Sequence, residues 1–382
     1  MKFTDHATCA AIAALSLALA GCDAGSRNEN EIVIGHYASL TGSEATFGRS
    51  SDNGVRMAID EINAAGGVKG KPVRLITYDD KGENREAGTA VTRLVTRDRV
   101  VAVLGEVASG LSLTAAPICQ EHGVPMVSTS STNPKVTTVG DMIFRICYID
   151  PFQGWACARF AREQLKARTA AIFYNQAQPY AVGLQEEFEK AFVEMGGTIV
   201  ARETYQTEDQ DYSAQLVSIR GSRPNVIFIP GYYTDAANIS LRARELGIEA
   251  PLLGGDGWDS AMLARIAGKA IDGSYYSNHY SHDDPSPRVQ DFIRKYQAEH
   301  GGIPDGTAAL GYDAARILFE AMERAPSLGG ADLAAALAAT KDFDGVTGKI
   351  SIDAERNAVK SIVVLQMKDG MPRYITRIEP PE

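Results

Sequence analysis

"VVAVLGEVASGLSLTAAPICQEHGVPMVSTSSTNPKVT", Val100 to Thr137, decides how this chain folds. Its outer parts, "VVAVLGE" and "VPMVS", are short apolar runs without polar alternation, which is how strands covered on both faces read. Between them "SLTAAPICQEHG" has the length and pattern of a helix closed by glycine. Both strand-like runs end in small hydroxylated residues: Ser109 after the first, then Ser128, Thr129, Ser130, Ser131 and Thr132 after the second.

The same alternation extends in both directions. Upstream, "IVIGHY" reads as a strand, "NGVRMAIDEINAAGG" as a helix, "PVRLITYDD" as a strand and "REAGTAVTRLVTRD" as a helix. A second series follows Pro151, with strands "TAAIFYN", "TIVARETY", "NVIFIPG" and "APLLGG" separated by amphipathic helical segments. The C-terminal part adds helices "PRVQDFIRKYQAEHG", "GTAALGYDAARILFEAMERA" and "ADLAAALAAT", and strands near Gly348 to Ile352 and Lys360 to Met367. Repeated strand–helix units build parallel sheets with helices on both faces. Both series also share a helix closed by Gly-Gly (Gly66-Gly67, Gly196-Gly197), a strand and an acidic turn (Asp79-Asp80, Glu208-Asp209). The expected fold class is α/β, with two doubly wound parallel-sheet lobes built alike.

The N-terminus stands outside that body. "AAIAALSLALAGC", Ala10 to Cys22, is a short Ala-rich apolar segment ending in small residues, and residues 1–22 read as an export signal. The ending Leu19-Ala20-Gly21-Cys22 resembles the bacterial lipoprotein signal, in which the cysteine is lipidated; an ordinary signal peptide is the alternative. Residues 23–30 are polar and read as a flexible tether. The body after Cys22, of about 360 residues, is long enough for two domains. Its net charge of -10 argues against nucleic acid as a partner. Cys119, Cys147 and Cys157 are too few for a disulfide framework, although Cys147 and Cys157 are candidates for a pair.

In open parallel sheets, ligands sit beyond the carboxyl ends of the strands. Ser109, Ser130 and Thr132 lie at such ends, where hydroxyls and helix-start N–H groups hold an anion without Arg or Lys. Two neighbouring clusters can grip one carboxylate; the alternative is that they only cap helices. The matching ends of the second series carry Tyr180, Tyr232, Tyr233, Asp256 and Trp258. One acid among aromatic faces suits an ammonium group, although buried tyrosines are more often core. A carboxylate grip opposite an ammonium grip describes an α-amino-acid site.

Enzyme motifs are mostly absent from the sequence. "GEVASG" lacks the spacing of a nucleophile elbow, "GGVKGKP" lacks that of a P-loop, and no H-E-x-x-H occurs. "NHYSHDD", Asn278 to Asp284, gathers His279, His282, Asp283 and Asp284 in a composition that suits either a metal or a solvated loop. No cofactor and no metal is expected.

The blocks "SLTGSEATFGRSSDNGVRMAIDEINAAGGVKGK", "STSSTNPKVT", "FRICYIDPFQGW", "DQDYSAQL", "IPGYYTDA", "LLGGDGWDS" and "ALGYDAA" resemble the leucine/isoleucine/valine-binding family of ABC-transporter substrate-binding proteins. The resemblance spans the mature chain and implies two lobes joined by three chain crossings, near residues 145–150, 275–279 and 350–353. It places residues 31–146 and 277–350 in lobe 1, and 147–276 and 351–382 in lobe 2. It implies that Ser109 and Thr132 bind a ligand carboxylate, that Ser130 (through its carbonyl), Thr132 and Asp256 bind an ammonium, and that Phe47, Tyr180 and Tyr232 line the cleft. The implied partners are an amino acid, branched-chain or otherwise apolar, and a membrane permease with its ATPase subunits; the implied location is the periplasmic face of the cell membrane. One departure concerns the ligand, since Asp256 stands where leucine-binding members carry Glu. The competing reading is a sensory module for an amide, urea or aromatic carboxylate acting on a receptor. An enzyme is disfavoured because Ser109 has no evident His partner.

Overall fold

The computed structural model describes residues 30–207 and 209–381. Strands and helices alternate as β1 (Ile32–Ala38), α1 (Ala45–Ala64), β2 (Val73–Asp79), α2 (Asn84–Thr96), β3 (Val103–Leu104), α3 (Ser109–Glu121), β4 (Met126–Ser128) and β5 (Ile143–Arg145). The chain continues through α4 (Asp150–Glu163), β6 (Thr169–Asn175), α5 (Pro179–Glu194), β7 (Thr198–Tyr205), α6 (Ser213–Ser222), β8 (Val226–Ile229), α7 (Tyr233–Glu245), β9 (Leu252–Gly254), α8 (Ala261–Ala267) and β10 (Tyr275–Asn278). It closes with α9 (Pro287–His300), α10 (Gly306–Arg324), α11 (Gly330–Ala338), β11 (Phe343–Gly345), β12 (Gly348–Ile352), β13 (Ala358–Val359), β14 (Ile362–Lys368) and β15 (Met371–Ile378). Among the described residues no helix is long and apolar enough to cross a membrane.

The first sheet has the order β2-β1-β3-β4-β5, parallel throughout. Strand alternation divides its side chains between two layers. Ile32 and Ile34 of β1 pack with Val55, Met57 and Leu318 on one side, whereas Val33 and Tyr37 pack with Val91, Leu94 and Leu111 on the other. Burial on both faces explains why the strands read as continuous apolar runs. The outer layer is tight where α1 meets α10: a Cβ on Gly54 would stand 2.0 Å from Ala308 O, and one on Gly311 would stand 2.4 Å from Ser51 O.

The second sheet has the order β15-β14-β10-β9-β8-β6-β7. Five of its strands are parallel, and β14 and β15 add an antiparallel edge to β10. Ala170, Ala171, Ile172 and Phe173 of β6 are all fully buried, so this sheet too is covered on both faces. The strand expected near Gly348 to Ile352 exists as β12, but it belongs to a separate small sheet, β11-β12-β13.

Sheet membership sets where the chain passes between lobes. Ser277 and Asn278 remain in the second sheet, because they pair with Val364 and Val363 of β14. Ile352 and Ala358 pack in the first lobe's core, because β13 folds back on β12. We therefore propose that the second and third crossings follow Asn278 and Val359, slightly beyond the positions 276/277 and 350/351 expected from sequence. The buried cation Arg145 stands at the first crossing and donates to Ser131 O at 2.5 Å and Asn133 O at 2.8 Å. Lys360 stands buried at the third, bonded to Thr347 Oγ1, and burial pushes its ammonium down to about 8. Cys119, Cys147 and Cys157 are buried free thiols. The candidate pair does not form, since Cys147 Sγ points at Ser131 O and Cys157 Sγ at Gly254 O.

Candidate functional site

The hydroxyl cluster after β4 divides into structural and unengaged members. Ser128 Oγ donates to Glu106 O at 2.9 Å and accepts from Ser131 N at 3.0 Å. Ser131 Oγ lies within hydrogen-bond reach of Glu106 O, Val107 O and Ser112 Oγ. These two residues tie the β4 loop to the β3 loop. Ser109 is the first residue of α3 rather than its cap, and its Oγ accepts from Asn133 N at 3.3 Å. Thr132 Oγ1 is buried and makes no hydrogen bond of good geometry, while Ser130 is 7 % exposed. Buried hydroxyls are ordinarily paired, so Thr132 stands out as one whose nearest partner, the Asp150 carboxyl, is poorly aligned.

The second lobe closes over these loops. Asn133 Nδ2 donates to Pro179 O at 2.9 Å, which sets the start of α5 against the β4 loop. Thr46 Oγ1 donates to Tyr233 OH at 2.6 Å, and Tyr233 OH donates to Ser43 O at 2.8 Å. Phe47 meets Tyr232 edge-on with centroids 5.7 Å apart, and Tyr232 stacks on Tyr180 at 5.3 Å with planes 2° apart. Tyr180 OH in turn donates to Asp256 Oδ1 at 2.9 Å. Phe47, Tyr232, Tyr180 and Asp256 thus form one continuous wall. Ser109, Ser130 and Thr132 lie on the loops that Asn133 ties to Pro179, next to Tyr180, and no direct bond joins the two groups among the described residues.

Asp256 is 8 % exposed and lies in a single 3-10 turn, Asp256–Trp258, after β9. Besides Tyr180 it receives Gln153 Nε2 at 2.7 Å and faces His279 Nε2 at 3.0 Å. Neutral donors therefore hold a carboxylate that no lysine or arginine pairs with among the described residues. A second buried acid, Asp150, has no hydrogen bond of good geometry on either oxygen although the Thr132 hydroxyl lies close to it, and its N–H donates to Thr132 O at 3.0 Å. Burial raises the Asp150 carboxyl to about 8, against the lowering effect of the Thr132 hydroxyl. A wide recess of about 880 Å³ lies at the mouth of the cleft, lined by Glu44, Gln178, Tyr212, Tyr232 and Asp235 among others. Of the expected contacts only Tyr232 lines it; Ser109, Ser130, Thr132 and Asp256 do not.

The profile of the periplasmic binding protein family matches residues 31–371. A Leu/Ile/Val-binding protein homologue of Brucella abortus is 30% identical over 353 residues, covering 91% of this chain and 94% of the relative. The chain belongs to the leucine/isoleucine/valine-binding family of periplasmic binding proteins. Among solved structures, a leucine-binding protein of Thermotoga maritima superposes with a TM-score of 0.88 at 38% identity, covering 91% of this chain and 99% of the other. A branched-chain amino-acid transporter substrate-binding protein of Streptococcus pneumoniae, in complex with isoleucine, gives 0.87 at 34% identity, covering 92% and 100%. The type I fold of the family, with two α/β lobes, is the fold described above.

Family membership came from sequence blocks, but some polar residues inside those blocks escaped the reading. Gln153 lies in "FRICYIDPFQGW" with no spacing signal of its own, and only the fold brings it to Asp256. The composition of "NHYSHDD" suits a metal at His279, yet the ring turns inward to Asp256. Asp283 and Asp284 instead accept from Tyr374 N and Arg377 Nη2. Among the described residues no group of three or more His, Cys, Asp or Glu is placed to hold a metal ion.

Proposed function

We propose that this family member is the extracytoplasmic solute-binding protein of an ABC importer, capturing an apolar aliphatic amino acid between its lobes for delivery to a permease. The observation that supports this reading is the approach of two unlike surfaces, tied where Asn133 of the hydroxyl loop bonds Pro179 beside Tyr180. One presents hydroxyls and helix-start N–H groups at Ser109, Ser130 and Thr132; the other presents the buried acid Asp256 between Tyr180 and the wall formed by Tyr232 and Phe47. The first suits a carboxylate and the second an ammonium, and aromatic faces between them suit an apolar side chain. The names of the relatives, which speak of leucine, isoleucine and valine, point to the same ligand class.

Capture proceeds by closure. A ligand held on one lobe completes its contacts when the second lobe arrives, so it binds the closed form better and shifts the population toward it. The decisive measurement pairs L-leucine with its deaminated analogue, 4-methylpentanoate, on wild type and Asp256→Asn. Loss of a charge-assisted bond is expected to weaken leucine about tenfold or more and to leave the analogue nearly unchanged. A coupling near zero would make Asp256 a turn acid and favour the sensory reading for a carboxylate without an amine.

Lipid anchoring at Cys22 belongs to the same proposal; Cys22 lies outside the described residues. Several acyl chains would hold the body firmly at the membrane surface. Labelling with a radioactive fatty acid is expected to mark the wild type and spare Cys22→Ser, and equal labelling of both would refute the anchor.

A further inference from the structure

Asp256 is held from three sides, and most of what holds it belongs to the segments that join the lobes. Gln153 stands in the first turn of α4, just past the first crossing, and its Nε2 is within hydrogen-bond distance of both Asp256 Oδ1 at 2.7 Å and Ser277 Oγ at 2.9 Å. His279 follows β10 at the second crossing and points Nε2 at Asp256 Oδ2, 3.0 Å away. A carboxylate only accepts, so the imidazole proton sits on Nε2. The ring is fixed from behind by Tyr148, stacked at 3.9 Å with planes 17° apart. Gln153, His279, Tyr148 and Ser277 are all buried.

We propose that Gln153 and His279 are positioning residues for amine recognition, locking the Asp256 carboxylate in the one orientation that leaves an acceptor position for the ligand. The inference rests on the reading of Asp256 as the amine acceptor. A carboxylate has room for about four acceptor contacts, and Gln153, Tyr180 and His279 occupy three. These donors are neutral; burial lowers the His279 imidazole to about 4 although Asp256 acts the other way. They orient the acid without cancelling its charge, so the remaining position favours a cation. Free rotation about the short Asp side chain would spread that position over several directions. Because Gln153 and His279 lie on connecting segments, the orientation depends on the hinge as well as on the turn that carries Asp256.

Calorimetry separates this role from simple structural support. The tightest of leucine, isoleucine and valine is carried forward with its deaminated analogue, against wild type, Asp256→Asn, His279→Leu, His279→Gln and Gln153→Leu. His279→Leu and Gln153→Leu are each expected to weaken the amino acid about tenfold and to move the analogue little. His279→Gln, which keeps an N–H donor, is expected to recover most of the loss. Equal losses for both ligands, no loss for either, or no recovery in His279→Gln would overturn the positioning role. If His279→Leu fails to fold, Gln153→Leu decides the question from the other crossing. Unchanged leucine-type binding in Asp256→Asn, or no binding of the three amino acids to wild type, would overturn the amine reading itself; a loss in Asp256→Asn with none in the supporting variants overturns the positioning role alone.

Discussion

Ser109 and Thr132 differ from the hydroxyls around them in how little the fold asks of them. Ser128 and Ser131 bind backbone carbonyls of the β3 loop, whereas Thr132 Oγ1 is buried near the Asp150 carboxyl without a hydrogen bond of good geometry and Ser109 Oγ only accepts one N–H. Ser109→Ala and Thr132→Ala are therefore expected to leave folding intact. Each is expected to cost about 1.5 to 3 kcal/mol of ligand binding, roughly ten- to a hundred-fold in affinity by calorimetry. Unchanged affinity in both would place the carboxylate elsewhere. The position of these residues was legible for a local reason: a strand end followed by a helix start is visible along the chain, as β3 and the start of α3 at Ser109 show. Gln153 and His279 reach Asp256 across 103 and 23 positions, and neither separation leaves a periodic trace. Only coordinates could distinguish His279 facing a carboxylate from His279 in a solvated loop.

Helix α1 shows what periodicity reveals at the scale of an element and what it hides. The segment beginning at Asn53 reads as a helix, and the structure starts it earlier, at Ala45. The missing part carries Gly48, Ser50 and Ser51, buried small residues that leave no apolar stripe. The covered strand Thr169–Asn175 agrees with its apolar run, and the half-buried edge strand Thr198–Tyr205 with its β-branched start, whereas β15, an edge strand with exposed Tyr374 and Ile375, carries no apolar run to mark it. Small residues let α1 and α10 approach closely, and that approach is testable. Gly54→Ala would drive a methyl into Ala308 O, for which the available separation is 2.0 Å. Backbone cannot yield as a flexible side chain can, so the variant is expected to lose about 1 to 3 kcal/mol or more in denaturant unfolding despite alanine's better helix propensity. A stabilised variant would mean that the helices are free to separate.

At the scale of the whole molecule, closure brings carboxyls together at the cleft mouth. Burial raises Glu44 to about 8, with Asp80 and Asp235 adding to the shift, and burial raises Asp235 to about 6. A carboxyl raised in one form stabilises that form when protonated, fully below its ordinary range and no longer once pH passes the raised value. Opening returns Glu44 to water, so closure, and ligand affinity with it, is expected to strengthen as pH falls from about 9 to about 6. Asp150, raised to about 8 by burial near the hinge, acts in the same sense. Glu44→Gln is expected to reduce the slope of affinity against pH, and an unchanged slope would remove Glu44 from the closing surface. The lobes themselves are also interleaved along the chain. Ser50 of α1 bonds Asp305, the cap of α10, across 255 positions, so the first lobe lacks an outer layer until most of the chain has been made. Such distant pairing slows folding. Were the chain exported as proposed, that delay would keep the polypeptide passable through a narrow pore during synthesis and defer folding until it reached the far side.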